Sequence, residues 1–324
     1  MTKMFFPGAN TGLGFISRFD GIITDKNHYT YVLKGGPGVG KNTLMRKVLE
    51  SAAKKCYTVE EFRCASDPKS LDAIRIVEIS TVLLDGTAPH SIDPKLPGVC
   101  DEIVNLGHFK NKSEFAKRRG EVERLMAENK SHYNRAYALL SAARLLKTEA
   151  LSMAESAIDK RKLCAFLKPF TEKAPGGSFR ELFLASATPS GIVNFADSFS
   201  AEETTYLSGI LGEVALKEAK KMLQGKTALV GYDFVAPDMP LAINIGEASL
   251  AIGDGENLLG ICENSLPTSL TVFLSESERL CALATAELSL CLAAHDKIED
   301  AYRPYVDYDR VSEEGEKLIK ELSL

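Results

Sequence analysis

Along the first third of the chain, apolar positions fall into short runs broken by glycine, proline and charge. "YTYVLKG" (Tyr29 to Gly35) has strand length and leads into a glycine-rich stretch. "NTLMRKVLESAAKK" follows, with Val48, Leu49 and Ala52 spaced as the apolar stripe of a helix. "YTVEEFRCA" (Tyr57 to Ala65), "STVLLDG" (Ser80 to Gly86) and "CDEIVNLG" (Cys100 to Gly107) read as further strands. Strands that alternate with helical or looped crossovers predict an α/β fold with a mainly parallel sheet. From about Ser113 to Leu167 proline is absent, and Tyr133, Ala136, Tyr137 and Leu140 recur at helical spacing. A long helical hairpin over about 112–168 is expected there. "KAPGGSF" (Lys173 to Phe179) is the hinge, dividing the chain into domains at 1–176 and 177–324. The tail from Glu278 is again helical, interrupted at Pro304.

The second half repeats the first. "TGLGFISRFDGI" (Thr11 to Ile22) matches "TPSGIVNFADSF" (Thr188 to Phe199) at an offset of 177. "PKSLDAIRIVEISTVLLDG" (Pro68 to Gly86) matches "PDMPLAINIGEASLAIGDG" (Pro237 to Gly255) at an offset of 169, without gaps. Between these anchors "YVLKGGPGVGKNTLMRKV" faces "YLSGILGEVALKEAKKML" (Tyr206 to Leu223), which keeps strand and helix character and loses the glycines and lysine. The pattern predicts two tandem copies of one domain, each with a helical appendage, the second degenerate.

Composition narrows the class. Hydrophobic residues make up 45% and the formal net charge is −5, so a packed core is available and coating of nucleic acid is not the expected work. "FKNKSEFAKRRG" (Phe109 to Gly120) is locally basic and reads as a solvated helix start. Seven scattered cysteines without a C-x-x-C fit neither a disulfide framework nor a zinc site, and suit a reducing cytoplasm. The opening "MTKMFFPGANTG" lacks a signal-peptide core and no apolar run is long enough for a membrane helix. A soluble, cytoplasmic protein is expected.

The chemistry lies in "KGGPGVGKNTL" (Lys34 to Leu44). Gly35, Gly40 and Lys41 match G-x-x-x-x-G-K between a predicted strand and a predicted helix. Glycines at these places let backbone N–H groups turn inward on phosphate oxygens, and the helix start adds the positive end of its dipole. Gly35, Gly36, Pro37, Gly38, Val39, Gly40, Lys41, Asn42 and Thr43 are the candidate nucleotide contacts. Asn42 stands where a hydroxyl residue usually ligates Mg²⁺; its amide oxygen is a bulkier substitute. Asp85, ending "TVLLDG", is the candidate acid for Mg²⁺, and its retention as Asp254 also fits a turn acceptor. Asp67 faces Ala236 in the second copy and is either the cap of a following helix or a substrate contact. His90 and Asp93 face Leu259 and Cys262, and lie in the loop beyond the Asp85 strand, where ligands bind α/β sheets. His90 is a phosphate or water contact, or a plain loop histidine. His28, His108, His132 and His295 form no ligand pattern.

"FFPGANTGLGF", "LKGGPGVGKNTLM", "CASDPKSLDAIRI", "LLDGTAPHSIDPKLPGVCDEIVNLG" and "LFLASATPSGIVNF" together resemble an uncharacterised bacterial family of duplicated P-loop ATPase-like proteins, over nearly the whole chain. Members typically carry G-K-[ST] in the first loop and often a recognisable second loop; this sequence departs at both. The resemblance implies binding of ATP or GTP with Mg²⁺. The expected function is purine nucleoside triphosphate binding with slow hydrolysis or phosphoryl transfer, in which Lys41, Asp85, His90, Asp93 and Asp67 serve as candidate catalytic residues. The alternative is a nucleotide-sensing regulator or scaffold that scarcely hydrolyses and meets a protein partner through its helices.

Overall fold

The computed structural model describes residues 2–23, 28–88 and 91–324. The first sequence copy contains β1 (Lys3–Phe5), β2 (Gly8–Thr11), β3 (Gly14–Ser17), β4 (Tyr29–Lys34), α1 (Lys41–Lys54), β5 (Val59–Arg63), β6 (Leu71–Ile76), β7 (Thr81–Asp85) and β8 (Asp101–Asn105). Its appendage is α2 (Lys112–Ala116), α3 (Arg119–Ala157) and α4 (Lys160–Thr171). The second copy contains β9 (Phe179–Phe183), β10 (Ala185–Thr188), β11 (Gly191–Asn194), β12 (Glu203–Leu207), α5 (Gly209–Met222), β13 (Ala228–Tyr232), β14 (Pro240–Asn244) and β15 (Ala248–Ile252). It ends in α6 (Ser269–Tyr302) and α7 (Tyr308–Glu321), with Pro304 in the break between them. No helix among the described residues is long and apolar enough to cross a membrane.

The duplication is visible in strand order. One sheet runs β1-β5-β6-β7-β4-β8 and the other β9-β13-β14-β15-β12, which is the same order without a counterpart of β8. Pairing senses also agree. β1–β5 and β4–β7 are parallel, as are β9–β13 and β12–β15, whereas β6 and β14 run antiparallel to both neighbours. The sheets are therefore mixed, mainly parallel with one strand in each running against the rest. The turn Val77–Ser80 between β6 and β7 is too short for the crossover that a parallel pair needs, so the chain can only return antiparallel.

The sequence division and the packing divide the chain differently. Two compact units form: Met1–Pro7 with Ile22–Asn134 and Glu287–Leu324, and Gly8–Gly21 with Arg135–Ala286. In the first, α1 buries Leu44, Met45, Val48 and Ala52 against β5 and β6, and α7 packs on α1. In the second, α5 lies on β14 and β15, and α4 packs on α5 through buried Leu163 and Leu167. The second unit also holds both hairpins, β2–β3 and β10–β11. Thr11 donates to the Gly14 carbonyl at 2.7 Å, and Thr188 donates to the Gly191 carbonyl at 2.7 Å. Asn10 donates to the carbonyl of Ala187, its own counterpart at the 177 offset.

Where α1 buries Met45, α5 buries Glu213 at the same place in the helix. Lys147 of α3 answers it at 2.6 Å, while Glu213 Oε2 has no hydrogen-bond partner among the described residues. Burial pushes the Glu213 carboxyl up, and Asp233 adds to this against the lowering effect of Lys147. A folded-state value above the unfolded one gives a contribution that is full at acid pH and lost as pH rises through the folded value. Replacing Lys147 with methionine should therefore cost about 3–5 kcal/mol at pH 8, and less at pH 5, where protonating the buried Glu213 costs less. Urea denaturation at both pH values checks this. The double variant Lys147→Met, Glu213→Leu should recover most of the loss.

Candidate functional site

β4 is an inner strand, hydrogen-bonded to β7 on one side and β8 on the other, with Thr30 to Leu33 buried. It delivers Gly35–Gly40 to the carboxyl edge of the sheet, and α1 starts at Lys41. Gly38 (φ +67) and Gly40 (φ +95) occupy the left-handed region, which a side chain would strain. Val39 is buried, with a methyl 2.6 Å from where a Cβ on Gly35 would lie, so it offers the loop only its backbone. Gly40 caps α1 without a side-chain acceptor. The first-turn N–H groups of α1 therefore have no side-chain cap from Gly40 and lie at the positive end of the helix dipole. Thr43 is exposed in that first turn.

Lys41 lies over the loop. Its Nζ donates to the carbonyls of Gly35 (2.7 Å) and Gly36 (3.1 Å) and sits 3.5 Å from Asp85 Oδ2. Asp85 reaches this place because β7 pairs in register with β4, Leu33 opposite Asp85. Its Oδ1 accepts from the N–H and hydroxyl of Thr87, so it is a turn acceptor as well as the partner of Lys41. Lys41 and Asp85 are both largely buried, at 12% and 16% side-chain exposure, so their attraction is poorly screened. Asp93 is drawn to the same edge by Lys34, whose ammonium bonds Asp93 Oδ1 (2.9 Å) and the carbonyls of Gly86 (2.8 Å) and Ile92 (2.6 Å). Lys34, missed in the sequence, ties the strand end to the loop beyond β7. Its signal was a cation placed at the last position of an otherwise apolar strand. His90 lies outside the described residues.

Asn42 is engaged with the start of β6. Its Oδ1 accepts from the Leu71 N–H at 3.2 Å, and its Nδ2 lies 3.4 Å from Ser70 Oγ. Ser70 in turn donates to Asp67 Oδ2 at 2.5 Å, and Asp67 Oδ1 accepts from the Lys69 N–H. Asp67 therefore holds a tight turn, Asp67–Ser70, that enters a strand. The expected helix after it does not exist, because the segment it opens is β6.

The outer side of the glycine loop is lined by the end of α6 and the start of α7. A Cβ on Gly36 would lie 2.6 Å from the Tyr302 ring, and one on Gly40 would lie 3.0 Å from Val311. Tyr308 donates its hydroxyl proton to the Gly38 carbonyl at 2.7 Å. Glu299 backs onto Gly38. A hydrogen bond from His295 and the charge of Arg303 hold its carboxyl below the usual range, against the raising effect of burial. These contacts were not readable from spacing, since the partners are some 260 residues apart. In the second copy only Ser208 separates β12 from α5, where six residues separate β4 from α1. The loop itself is missing there, not only its glycines and lysine.

Among the described residues no group of three or more His, Cys, Asp or Glu is arranged to hold a metal ion. Mg²⁺ does not need one, since it binds through one or two carboxylates together with phosphate and water oxygens. Asp85 suits such a part; Asn42 has its oxygen already committed to Leu71. Comparison with known protein families, with curated proteins and with solved structures gives no match.

The Asn42 contact has a stability consequence. Asn42→Ala leaves the Leu71 N–H, at a buried strand start, without its acceptor and should cost about 1–3 kcal/mol in urea denaturation. Asn42→Asp keeps an acceptor there and should lose less.

Proposed function

We propose that the first unit binds a purine nucleoside triphosphate, ATP or GTP, with Mg²⁺ in the glycine loop, and turns it over slowly by hydrolysis or phosphoryl transfer. The observation that carries this reading is the strand, glycine loop and uncapped helix in direct succession, with Lys41 over the loop and Asp85 beside it. The reading assigns the unit to the P-loop NTPase class. It also makes the second copy, which has no loop, incompetent for nucleotide. The roles follow from charge. Loop amides and the first turn of α1 bind phosphate oxygens, and Lys41 exchanges its two carbonyl partners for the outer phosphates. Asp85 would hold Mg²⁺, which supplies neutralisation of the phosphate charge that shifts during transfer. Asp93, fixed by Lys34, and His90 are the candidates to contact substrate or the attacking water; Asp67 is a turn residue first. The seven free cysteines fit a cytoplasmic setting.

Asn42 favours a second reading, a nucleotide-sensing regulator that binds and scarcely turns over, with a protein partner on the long helices. A side chain bonded to β6 links the phosphate loop to the sheet and contributes no hydroxyl to the metal.

Two measurements test the pair. Ligand at a hundred times its dissociation constant should add about 2.7 kcal/mol of apparent stability. Lys41→Ala should abolish most of that thermal shift, and an equal shift in both proteins would refute the site. Asn42→Ser restores the hydroxyl, and single-turnover phosphate release at saturating nucleotide should rise about tenfold, roughly 1.4 kcal/mol of barrier. No gain in rate would put the regulatory reading ahead.

A further inference from the structure

A hollow of about 540 Å³ lies in the first unit over the segment after β8 (His108–Asn111) and the corner joining α6 to α7 (Pro304–Asp307 with Arg310), which are tied edge to edge by Asn111 N–H to the Tyr305 carbonyl (2.9 Å) and Asp307 N–H to the Phe109 carbonyl (2.8 Å). That volume lies in the range of small-molecule sites. Both of these segments adjoin residues that touch the glycine loop. On one side Gly107 N lies 3.3 Å from where a Cβ on Gly35 would be. On the other, Tyr308 bonds the Gly38 carbonyl, and Val311 faces Gly40. The segments that form the hollow are thus neighbours of the loop in space, although no loop residue lines it.

The lining suits a flat heteroaromatic ring. The Arg310 guanidinium lies over the Phe109 ring at 4.8 Å to its centroid, an exposed planar cation on an aromatic face. Nucleobases stack on both kinds of surface. Asn111 and Asp307 each use Oδ1 to cap a helix, accepting from the N–H groups of Glu114 and Arg310. The remaining head atoms, Asn111 Nδ2 and Asp307 Oδ2, are a donor and an acceptor for a ring edge.

We propose that this hollow is the nucleobase subsite of the phosphate loop, with Arg310 as the stacking residue and Asn111 and Asp307 reading the base edge. The proposal rests on the phosphate-loop reading above, and adds that the second sequence copy supplies half of the nucleotide site. The second copy has no strand in the place of β8, so it lacks the segment that would build an equivalent wall.

Inorganic tripolyphosphate, which has no base, separates the two ideas. Binding of ATP, GTP and tripolyphosphate is titrated on the full chain, on Arg310→Ala and on Lys41→Ala. Arg310→Ala should weaken the preferred nucleotide about tenfold and leave tripolyphosphate unchanged. Lys41→Ala should weaken nucleotide and tripolyphosphate alike. If Arg310→Ala weakens both ligands equally, or neither, the base subsite is refuted while the loop stands. If neither nucleotide nor tripolyphosphate binds the wild type, the loop reading falls and takes the subsite with it. Photolabelling with 8-azido-ATP and 8-azido-GTP gives a readout that needs no variant. Label should fall within His108–Asn111 or Pro304–Arg310, and label confined to other peptides overturns the proposal.

Discussion

Helix α1 has two faces to satisfy. One carries Met45 and Val48 onto the sheet, and the other would expose Leu44 unless something covers it. The cover is α7, which brings Val311 and Leu318 into the same core and places Gly315 opposite Leu44, so that the two helices approach closely. Lys47 reaches Ser312, and Tyr31 of β4 donates to Glu321 at 2.7 Å, which extends the contact to the central strand. Burial of side chains of this size contributes about 1.5–3 kcal/mol each, so the α1–α7 contact is a principal term for this unit. The glycine loop depends on it as well, because the chain that covers α1 also supplies Tyr302 and Tyr308 to the loop.

The second unit meets the same need with the opposite partner. α5 is covered by α4, the last helix of the first copy, as α1 is covered by the last helix of the second. Each copy therefore gives its terminal helix to the helix that covers the other's sheet. The two hairpins carry the same relation at smaller scale, with equal threonine bonds inside each and Asn10 bonded to its own counterpart between them. Duplicated elements that meet at equivalent residues behave as an isologous pair within one chain.

Legibility from sequence followed the range of the interactions. Strand, glycine loop and helix could be read at Tyr29–Lys54 because their signals lie within one another's reach. The duplication could be read because eight identities fall in register between Pro68–Gly86 and Pro237–Gly255. β6 was passed over because Asp72 and Arg75 interrupt its apolar residues, although Asp72 is itself buried, and with it went the antiparallel pairing. An ungapped match of Tyr206–Leu223 to the loop hid a deletion, since strand and helix propensities survive a shift in register. The exchange of α4 and α7 could not be read at all. An apolar stripe specifies that a helix needs a partner, and it does not say which.

The bond between Tyr308 and Gly38 spans 270 positions. A chain emerging from the ribosome makes the strand, the glycine loop and α1 well before the helix that buries Leu44. Closing so long a loop costs entropy before any contact rewards it, and topologies dominated by such contacts fold slowly. Throughout that interval α1 has a bare apolar stripe, a natural target for a chaperone or for a neighbouring nascent chain. Order of synthesis thus separates the making of the glycine loop from its enclosure by the whole stretch of chain between Gly38 and Tyr308.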